Sequence, residues 1–335
     1  MNNKSTKKLI LFGGNQALFN LVLNIINSKL DLDLVVISEE FHLRELINNE
    51  GSLLHNLEKY NIPYESFSDL TKGNLQDYVA QNTIGLSISS PWIFKEEVIS
   101  LFEGKLFNFH SALLPYNRGA GIISWKILTN DRVGGLTIHK LTKGIDDGDI
   151  IKQKKFSYPN ECVIPLDYFN YEAEKIDDFL LEFVKEIIAC KDWSEVKQDE
   201  TVSTYWPRLN TEINGFIDWS WSCQNVIHFV NAFDDPYRGA STFTNNQKVY
   251  LKKCSPQDDH VSFHPFQSGL VYRISSDAIF VAGYGGSFLI KCVFDEKGNN
   301  IINKTKLGQR FFTPRKYLED AQITRVQYGP QGLKL

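Results

Sequence analysis

Two apolar runs with a helical pattern between them open this chain and limit the folds it can adopt. KLILFGG predicts a strand over residues 8–12 that ends in a glycine turn. NQALFNLVLNII then has the apolar spacing of an amphipathic helix, and DLDLVVISEE predicts a second strand. This βαβ opening indicates a parallel sheet, because parallel strands need a long crossover connection.

Further strands and helices continue the alternation. Strands are predicted over residues 84–89, 105–110 and 135–141, and helices over 41–60, 91–102 and 165–189. The fold class is therefore α/β, with a Rossmann-like, mostly parallel sheet and helices on both faces. The Gly13-Gly14 turn does not extend this to a nicotinamide cofactor, because GGNQAL lacks the GxGxxG spacing.

The second half of the chain has a different pattern. After a helix predicted over residues 222–233, short alternating strands follow over 248–254, 268–275, 278–284 and 287–293, separated by turn residues. This is typical of a small β-rich domain, either an OB-like barrel or a sandwich. We predict a catalytic domain over residues 1–190, a polar linker over 191–210 and a C-terminal β-rich domain over 211–335.

Composition excludes several classes of protein. A net charge of −4 and a pI near 6.0 give no general attraction to nucleic acid. The five cysteines lie far apart without a CxxC pair, which favours a reduced cytoplasm and gives no metal site. The N-terminal apolar run is too short for a secretion signal or a membrane span, so we expect a cytoplasmic protein without membrane association.

The polar residues that end the predicted strands suggest chemistry. In FNFHSALLPYNRG, strand alternation places Asn108 and His110 on one face, and the loop TKGIDDGDI brings Asp146, Asp147 and Asp149 to the same end of the sheet. An amide and an imidazole can hold a developing oxyanion, and a carboxylate can accept a proton or orient the imidazole. Such a set is equipped for acyl transfer without a covalent nucleophile, since no GxSxG motif is present.

Each of these residues also has an ordinary structural interpretation. A histidine at a strand end is often structural, an asparagine before a turn often caps backbone, and DDGD could indicate a cation site. His139, in the neighbouring strand, could face the core or the site, and Arg118 could contact a phosphate or brace its loop. Trp125 is interpreted as packing.

Taken together, the motifs resemble a known family. NFHSALLPYNRGAGIISWKIL followed by GLTIHKLTKGIDDGDIIKQ resembles the 10-formyltetrahydrofolate-dependent formyltransferases, whose hallmark is N-x-H-x-S/A-x-LP-x-x-RG and then D-x-GD. TYWPRLNTEINGFIDWSWS and NAFDDPYRGAST resemble the start of the C-terminal domain of methionyl-tRNA formyltransferase and the aminoarabinose formyltransferases. The resemblance is closest over residues 80–155.

The resemblance implies roles for particular residues. Asn108 and His110 would hold the oxyanion of a tetrahedral intermediate, and Asp146 would take the amine proton and orient the imidazole. The pterin of 10-formyltetrahydrofolate, the formyl donor, would lie against two segments, and the turn after the catalytic strand would bind the acceptor. The first pterin segment is Trp92, Ile93 and Phe94; the second is Thr142, Lys143, Gly144 and Ile145; the acceptor turn is Tyr116, Asn117 and Arg118. No metal ion is expected.

The acceptor is predicted by comparing branches of the family. The methionyl-tRNA enzymes carry a basic insertion after the second strand, whereas SEEFHLRELINNEGSLLHNLEKYNIPYE is more acidic than basic. Glycinamide ribonucleotide enzymes usually have one domain, and the hydrolases usually have an N-terminal regulatory domain. We therefore expect a sugar N-formyltransferase that acts on a nucleotide-linked amino-deoxy sugar, such as a dTDP-linked one, for surface polysaccharide (O-antigen, lipopolysaccharide). Methionyl-tRNA formyltransferase is the alternative. Sugar enzymes of this family are often homodimers.

Overall fold

The computed structural model describes residues 7–47, 50–257, 261–329 and 332–334. Parts of three predictions lie outside the described residues. They are 48–49 of the helix predicted over 41–60, residues 1–6 of the catalytic domain, and residues 258–260, 330, 331 and 335 of the C-terminal domain.

Strands and helices alternate through the first half of the chain. Its elements are β1 (Lys7–Gly13), α1 (Gln16–Asn27), β2 (Leu32–Ser38), α2 (Glu40–Leu43), α3 (Leu53–Lys59), β3 (Tyr64–Ser66), α4 (Lys72–Leu75), β4 (Thr83–Ile88), α5 (Glu96–Ile99), β5 (Leu106–His110), β6 (Arg118–Gly119), α6 (Ile122–Thr129), β7 (Val133–Lys140), β8 (Ile150–Ser157) and α7 (Pro165–Ile188). Asn15 caps α1, because its side chain accepts a hydrogen bond from Leu18 N at 3.0 Å. The predicted α/β alternation is confirmed.

Within the described residues, seven strands form the first sheet in the order β3-β2-β1-β4-β5-β7-β8. The strands from β3 to β5 are parallel, while β7 runs antiparallel to both β5 and β8. Side chains of β1 alternate between two cores: Leu9 and Leu11 belong to one cluster, Ile10 and Phe12 to another. Apolar residues therefore cover both faces of a mostly parallel sheet, as predicted.

The glycine turn after β1 has a packing role. Gly13 has a φ of +123°, and a Cβ at this position would lie 2.0 Å from the backbone oxygen of Ile88. Glycine therefore lets the ends of β1 and β4 approach each other closely.

Two predicted helices are shorter than the sequence pattern suggests. The helix expected over 41–60 is divided into α2 and α3, and Gly51 between them has a φ of +115°. The helix expected over 91–102 begins only at Glu96, because Trp92 and Phe94 are buried in the core as part of a loop. Trp92 and Phe94 are apolar because the loop is buried, and their spacing therefore resembled that of a helix.

The second half is built around an antiparallel sheet. Its elements are β9 (Tyr205–Trp206), α8 (Thr211–Asn214), α9 (Cys223–Ala232), β10 (Ala240–Thr244), β11 (Gln247–Gln257), β12 (Val271–Ile274), β13 (Ile279–Gly283), β14 (Gly286–Phe294), α10 (Arg315–Ile323), β15 (Gln327–Gly329) and β16 (Gly332–Lys334). In the described part of the chain, five strands pair in the order β10-β11-β14-β13-β12. Both edges of this sheet form β-bridges with the segment 310–312. Phe243 of β10 pairs with Phe312, and Leu270, which precedes β12, pairs with Arg310. This confirms a β-rich C-terminal domain.

The two halves of the chain meet in a shared hydrophobic cluster. Helix α6 packs against α9, and Ile123 and Ile127 of α6 lie in the same cluster as Val226 and Val230 of α9. The predicted linker also packs on the first half, since Val196 forms a bridge with Ile150 and β9 pairs with β6. No helix among the described residues is long and apolar enough to cross a membrane.

Candidate active site

Asn108 and His110 lie at the carboxyl end of β5 and meet Asp146 there. Asn108 Nδ2 donates a hydrogen bond to Asp146 Oδ1 at 3.3 Å, and His110 Nδ1 lies 3.6 Å from Asp146 Oδ2. The His110 side chain is 9% exposed and that of Asp146 12%. The structure therefore brings the predicted trio into one enclosed cluster at the edge where α/β sheets bind ligands.

The backbone and the side chain of Asp146 are both unusual. Its φ of +52° lies in the left-handed region, which is uncommon for residues other than glycine. Its Oδ2 accepts a hydrogen bond from Gly119 N at 2.9 Å, so the aspartate joins the D-x-GD loop to the acceptor turn. Position 119 also requires a glycine, because a Cβ at Gly119 would lie 2.2 Å from the backbone oxygen of Trp206.

The surroundings of Asp146 favour its ionised form. Burial by itself would raise the pKa of Asp146. The positive charges of His110 and His139 when protonated, the hydrogen bond of His139 and the Gly119 N–H oppose this effect and outweigh it. The pKa therefore lies well below the usual range of an aspartate, and the carboxylate stays charged at neutral pH.

His139 belongs to the same cluster. Its ring is 2% exposed, and its Nε2 lies 3.2 Å from Asn108 Nδ2 and 3.4 Å from Asp146 Oδ1. Its Nδ1 lies 2.9 Å from the Lys140 carbonyl oxygen, which can only accept, so Nδ1 carries a proton. The sequence alone left this histidine undecided, but Asn108 and His139 are direct partners in the antiparallel ladder of β5 and β7.

The acceptor turn is attached to the cluster through Asn117. Its carbonyl oxygen lies 2.7 Å from His110 Nε2 and accepts the proton of that nitrogen. Its side-chain oxygen accepts a hydrogen bond from Trp206 Nε1 at 2.8 Å, and Trp206 stacks on Trp125 with ring centroids 5.1 Å apart. Tyr116, by contrast, is 49% exposed.

Arg118 is a buried bracing residue in this structure. Its guanidinium donates to Glu200 at 2.7 and 3.0 Å and to Gln198 at 2.8 and 3.1 Å. Both partners come from the crossing segment, which we define as residues 194–206. Gln198 was not singled out in the sequence, where this polar segment had the pattern of a linker.

The two predicted pterin segments are neighbours in the fold. Trp92 and Phe94 are buried in one cluster, and Leu141, which precedes the second segment, packs against that cluster. Lys143 Nζ lies 3.7 Å from a carboxylate oxygen of Glu96, just beyond the first segment. Each segment exposes one apolar side chain, Ile93 at 78% and Ile145 at 46%.

Thr142 and Gly144 shape the second segment. The Thr142 hydroxyl donates to Asp147 and accepts from Gly144 N at 3.1 Å. A Cβ at Gly144 would lie 1.8 Å from a carboxylate oxygen of Asp147, so the loop closes tightly over that aspartate. In the described residues, no group of three or more His, Cys, Asp or Glu side chains is arranged to hold a metal ion.

A cavity of about 750 Å³ opens beside the acceptor turn. Helices α6 and α9, the end of the crossing segment and the chain after α10 form its walls. The lining side chains include Trp125, Tyr205, Trp221, Phe229, Phe233 and Arg325. Its volume and aromatic lining are typical of small-molecule sites.

Comparisons with known families match both halves of the chain. A model described as "Formyl transferase" matches residues 63–161, and one described as "Formyl transferase, C-terminal domain" matches residues 210–305. Together the two matches cover more than half of the chain, and the first includes Asn108, His110, His139 and Asp146.

Solved structures with similar folds include three formyltransferases. An N-formyltransferase from Helicobacter canadensis, in complex with folinic acid and dTDP-3-aminofucose, is 23% identical with a TM-score of 0.66 and covers 86% of this chain and 100% of its own. WlaRD, a sugar 3N-formyl transferase solved with dTDP and 5-N-formyl-THF, is 21% identical with a TM-score of 0.64 and covers 88% and 98%. A 4-N formyltransferase from Francisella tularensis is 21% identical with a TM-score of 0.60 and covers 74% and 97%.

Proposed function

This chain belongs to the formyltransferase family, and we propose that it transfers the formyl group of 10-formyltetrahydrofolate to the amine of a nucleotide-linked amino-deoxy sugar. The observation that carries this proposal is the enclosed cluster of Asn108, His110, His139 and Asp146 at the carboxyl end of the sheet. The cluster offers one amide donor, two imidazoles and a permanently charged carboxylate around one point. It serves a direct attack of the amine on the formyl carbon.

The contacts of Asp146 and His110 favour one division of the catalytic roles. A carboxylate with a low pKa is a weak base, so it is poorly suited to take a proton from the amine. Once the acceptor has displaced Asn117 O from His110 Nε2, Asp146 can hold the imidazole proton on Nδ1, and the lone pair of Nε2 then faces the amine proton. Asp146 therefore orients and stabilises His110, and His110 accepts the proton.

Asn108 supplies the donor for the developing oxyanion. Its amide nitrogen donates one hydrogen to Asp146 Oδ1, which fixes the orientation of the amide and leaves the second hydrogen for the oxyanion. As the amine forms its bond to the formyl carbon, the electron pair of the C=O bond moves to oxygen and needs such a donor. The electron pair on oxygen then re-forms the C=O bond as the bond between the formyl carbon and the folate nitrogen breaks. The folate nitrogen leaves with the electrons of that bond and takes up a proton.

The acceptor turn controls access to His110. Asn117 O holds His110 Nε2 at 2.7 Å, the position that the amine must occupy during the reaction. The acceptor therefore has to replace this carbonyl, and the Tyr116–Arg118 turn is where we expect it to bind. Trp206 and Trp125 stabilise the turn from behind.

The two pterin segments fit a flat, partly apolar donor. Ile93 and Ile145 present apolar side chains, and the Thr142 hydroxyl, which donates to Asp147, accepts a hydrogen bond from Gly144 N. When bound, 10-formyltetrahydrofolate supplies the activated formyl group, and these segments would orient it against His110 and Asn108.

Two observations support a small nucleotide-linked acceptor. The aromatic cavity beside the acceptor turn has the size of a small-molecule site, with Tyr205 in its wall and Arg325 bonded to the Tyr205 hydroxyl at 3.1 Å. Two structural relatives were solved with dTDP or a dTDP-linked amino sugar. Such acceptors belong to the synthesis of bacterial surface polysaccharide, including lipopolysaccharide O-antigen. A cytoplasmic homodimer is part of the same proposal.

The test is release of tetrahydrofolate from 10-formyltetrahydrofolate by the purified protein, offered nucleotide-linked 3- and 4-amino-deoxy sugars, charged initiator methionyl-tRNA or no acceptor. We expect turnover with one or more dTDP- or UDP-linked amino sugars, and mass spectrometry should show a sugar heavier by one formyl group. The Asn108→Ala and His110→Asn variants should bind the donor and turn over far more slowly.

Other outcomes would reject parts of the proposal. Turnover with methionyl-tRNA alone would replace the acceptor, and tetrahydrofolate release without any acceptor would indicate a hydrolase. Unchanged turnover in both variants would remove the catalytic cluster from the mechanism.

A further inference from the structure

Gln198 of the crossing segment touches both loops of the active site. Its Nε2 donates to the carbonyl oxygen of Asp146 at 2.8 Å and to that of Gly148 at 2.7 Å. Its Oε1 accepts from Arg118 Nε at 3.1 Å and Nη2 at 2.8 Å. The residue is 5% exposed, so these four bonds replace water.

A glutamine amide has two donor hydrogens and two acceptor lone pairs, and all are used here. The donors meet carbonyl oxygens, which can only accept, and the acceptor meets a guanidinium, which can only donate. A glutamate would keep the contact with Arg118 but lose both donors. The pattern therefore needs an amide, and one of this length.

The bond to Asp146 acts on a conformation that needs support. Asp146 has a φ of +52°, and such backbone persists only where its surroundings hold it. Gln198 holds its carbonyl oxygen, and Gly119 N holds its carboxylate at 2.9 Å. The position of the carboxylate between the two imidazoles depends on both contacts.

The same segment also sets the acceptor turn. Thr204 accepts from Asn117 N through its hydroxyl at 2.8 Å and from Arg118 N through its carbonyl at 2.9 Å. Arg118 is then fixed by Gln198 and by Glu200. One stretch of chain thus sets both the D-x-GD loop and the turn that covers His110.

We propose that Gln198 is a positioning residue for formyl transfer, which holds Asp146 against His110 and His139 and aligns the acceptor turn with them. This inference rests on the proposed function for its activity readout. It predicts an effect on kcat, with little change in the KM of the formyl donor, because the side-chain hydrogen bonds of Gln198 go to Asp146, Gly148 and Arg118.

The experiment compares three variants by their kcat, KM and melting temperature. Gln198→Met removes all four bonds, whereas Gln198→Glu keeps the contact with Arg118 and removes only the donors to Asp146 and Gly148. We expect both to lower kcat by on the order of 100-fold, since a small misplacement of a catalytic group has such an effect. Gln309→Met is the control, because Gln309 bonds Thr244 and Lys306 in the C-terminal domain and should leave kcat unchanged.

Gln198→Glu separates positioning from simple bracing. If Gln198 only anchors Arg118, this variant should keep the kcat of the wild type, and that result would overturn the proposal. If Gln198→Met fails to fold, Gln198→Glu and Gln198→Asn decide the question, because Gln198→Asn keeps the amide one methylene too short to reach both sides.

A second readout does not depend on activity. Hydrogen exchange of the Gly119 amide, which is bonded to the Asp146 carboxylate, should be faster in Gln198→Glu than in the wild type and unchanged in Gln309→Met. If the wild type transfers no formyl group to any acceptor, the proposed function fails while this measurement still tests the position of Asp146. Unchanged exchange at Gly119 would overturn the role of Gln198.

Discussion

Asp146 in the first half and Asp234 in the second are both buried aspartates, but their partners differ. Asp234 has no exposed side-chain surface and accepts hydrogen bonds from Asp235 N and Lys253 N, both at 2.6 Å, with Lys252 Nζ at 3.9 Å. Burial raises the pKa of Asp234 more than these contacts lower it. Asp146 has two imidazoles beside it, and its pKa is lowered.

The difference shows what turns a buried carboxylate into part of an active site. Asp234 ties the turn after α9 to the β11 backbone, and its hydrogen-bond donors are backbone N–H groups. Asp146 lies between the imidazole rings of His110 and His139, which are side chains that can carry protons in a reaction. Burial is common to both, so the titratable partners distinguish the candidate catalytic carboxylate.

The largest expected effect is that of Asp146→Asn on turnover. Asp146→Asn should lower kcat by roughly 10²- to 10⁴-fold, because a neutral amide cannot hold the His110 proton on Nδ1 or balance an imidazolium. The affinity for folate should stay nearly the same. Steady-state kinetics and calorimetric titration with a folate would measure both.

Asp234→Asn is the matched comparison. It should keep the wild-type kcat and lose about 1 to 3 kcal/mol of unfolding free energy, because a buried backbone donor loses its charged acceptor. Equal losses of folate affinity and turnover in Asp146→Asn would contradict its role, and a large fall in kcat for Asp234→Asn would remove the contrast between the two.

Glu172 sharpens the comparison, because it lies near the site but resembles Asp234. It accepts from Ser111 Oγ at 3.0 Å and from the Tyr158 hydroxyl, and burial raises its pKa to about 7. In the unfolded chain the pKa of a glutamate is about 4.3. Between about pH 4.3 and about pH 7, therefore, the folded protein keeps a proton on Glu172 that the unfolded chain has lost. Stability is therefore highest below that range and falls by about 3 kcal/mol as the pH rises to about 7.

The Glu172→Gln variant should lose this pH dependence. The quantity to measure is the unfolding free energy of the variant minus that of the wild type, from urea unfolding at each pH. This difference should be more favourable to the variant at pH 8 than at pH 5 by up to about 3 kcal/mol. Glu182→Gln, on the exposed side of the same helix, controls for the change in charge. A stability difference that is the same at both pH values would show that Glu172 stays ionised in the fold.

The smallest expected effect comes from two tryptophan hydrogen bonds, one beside the acceptor turn and one inside the C-terminal domain. Trp206→Phe removes the bond to Asn117 Oδ1 and keeps a ring beside Trp125, so the acceptor KM should rise about 5-fold, equivalent to about 1 kcal/mol. Trp219→Phe removes the bond to Thr242 Oγ1 inside the C-terminal domain. It should cost about 1 to 3 kcal/mol of stability and leave that KM unchanged. If Trp206→Phe and Trp219→Phe have the same acceptor KM, the hydrogen bond of Trp206 does not contribute to acceptor binding.

The sequence located the trio but not the groups around it. Strand alternation placed Asn108 and His110 on one face, because the period of a strand is a local property. His139 was left undecided, because its role depends on β7 pairing antiparallel with β5 directly opposite Asn108. Arg118 allowed two interpretations until its partners, 80 and 82 residues away in the chain, were known.

By itself the sequence determined the α/β first half, the β-rich second half and the three residues that we propose as the catalytic trio. Each of these is encoded by short-range patterns of apolar and polar residues, which follow from the geometry of strands, helices and turns. Only the tertiary structure decided that residues 194–206 return to the active site instead of acting as a plain linker. Three polar side chains of that segment, Gln198, Glu200 and Thr204, bond to the two loops, and such long-range pairing leaves no periodic signal in the sequence.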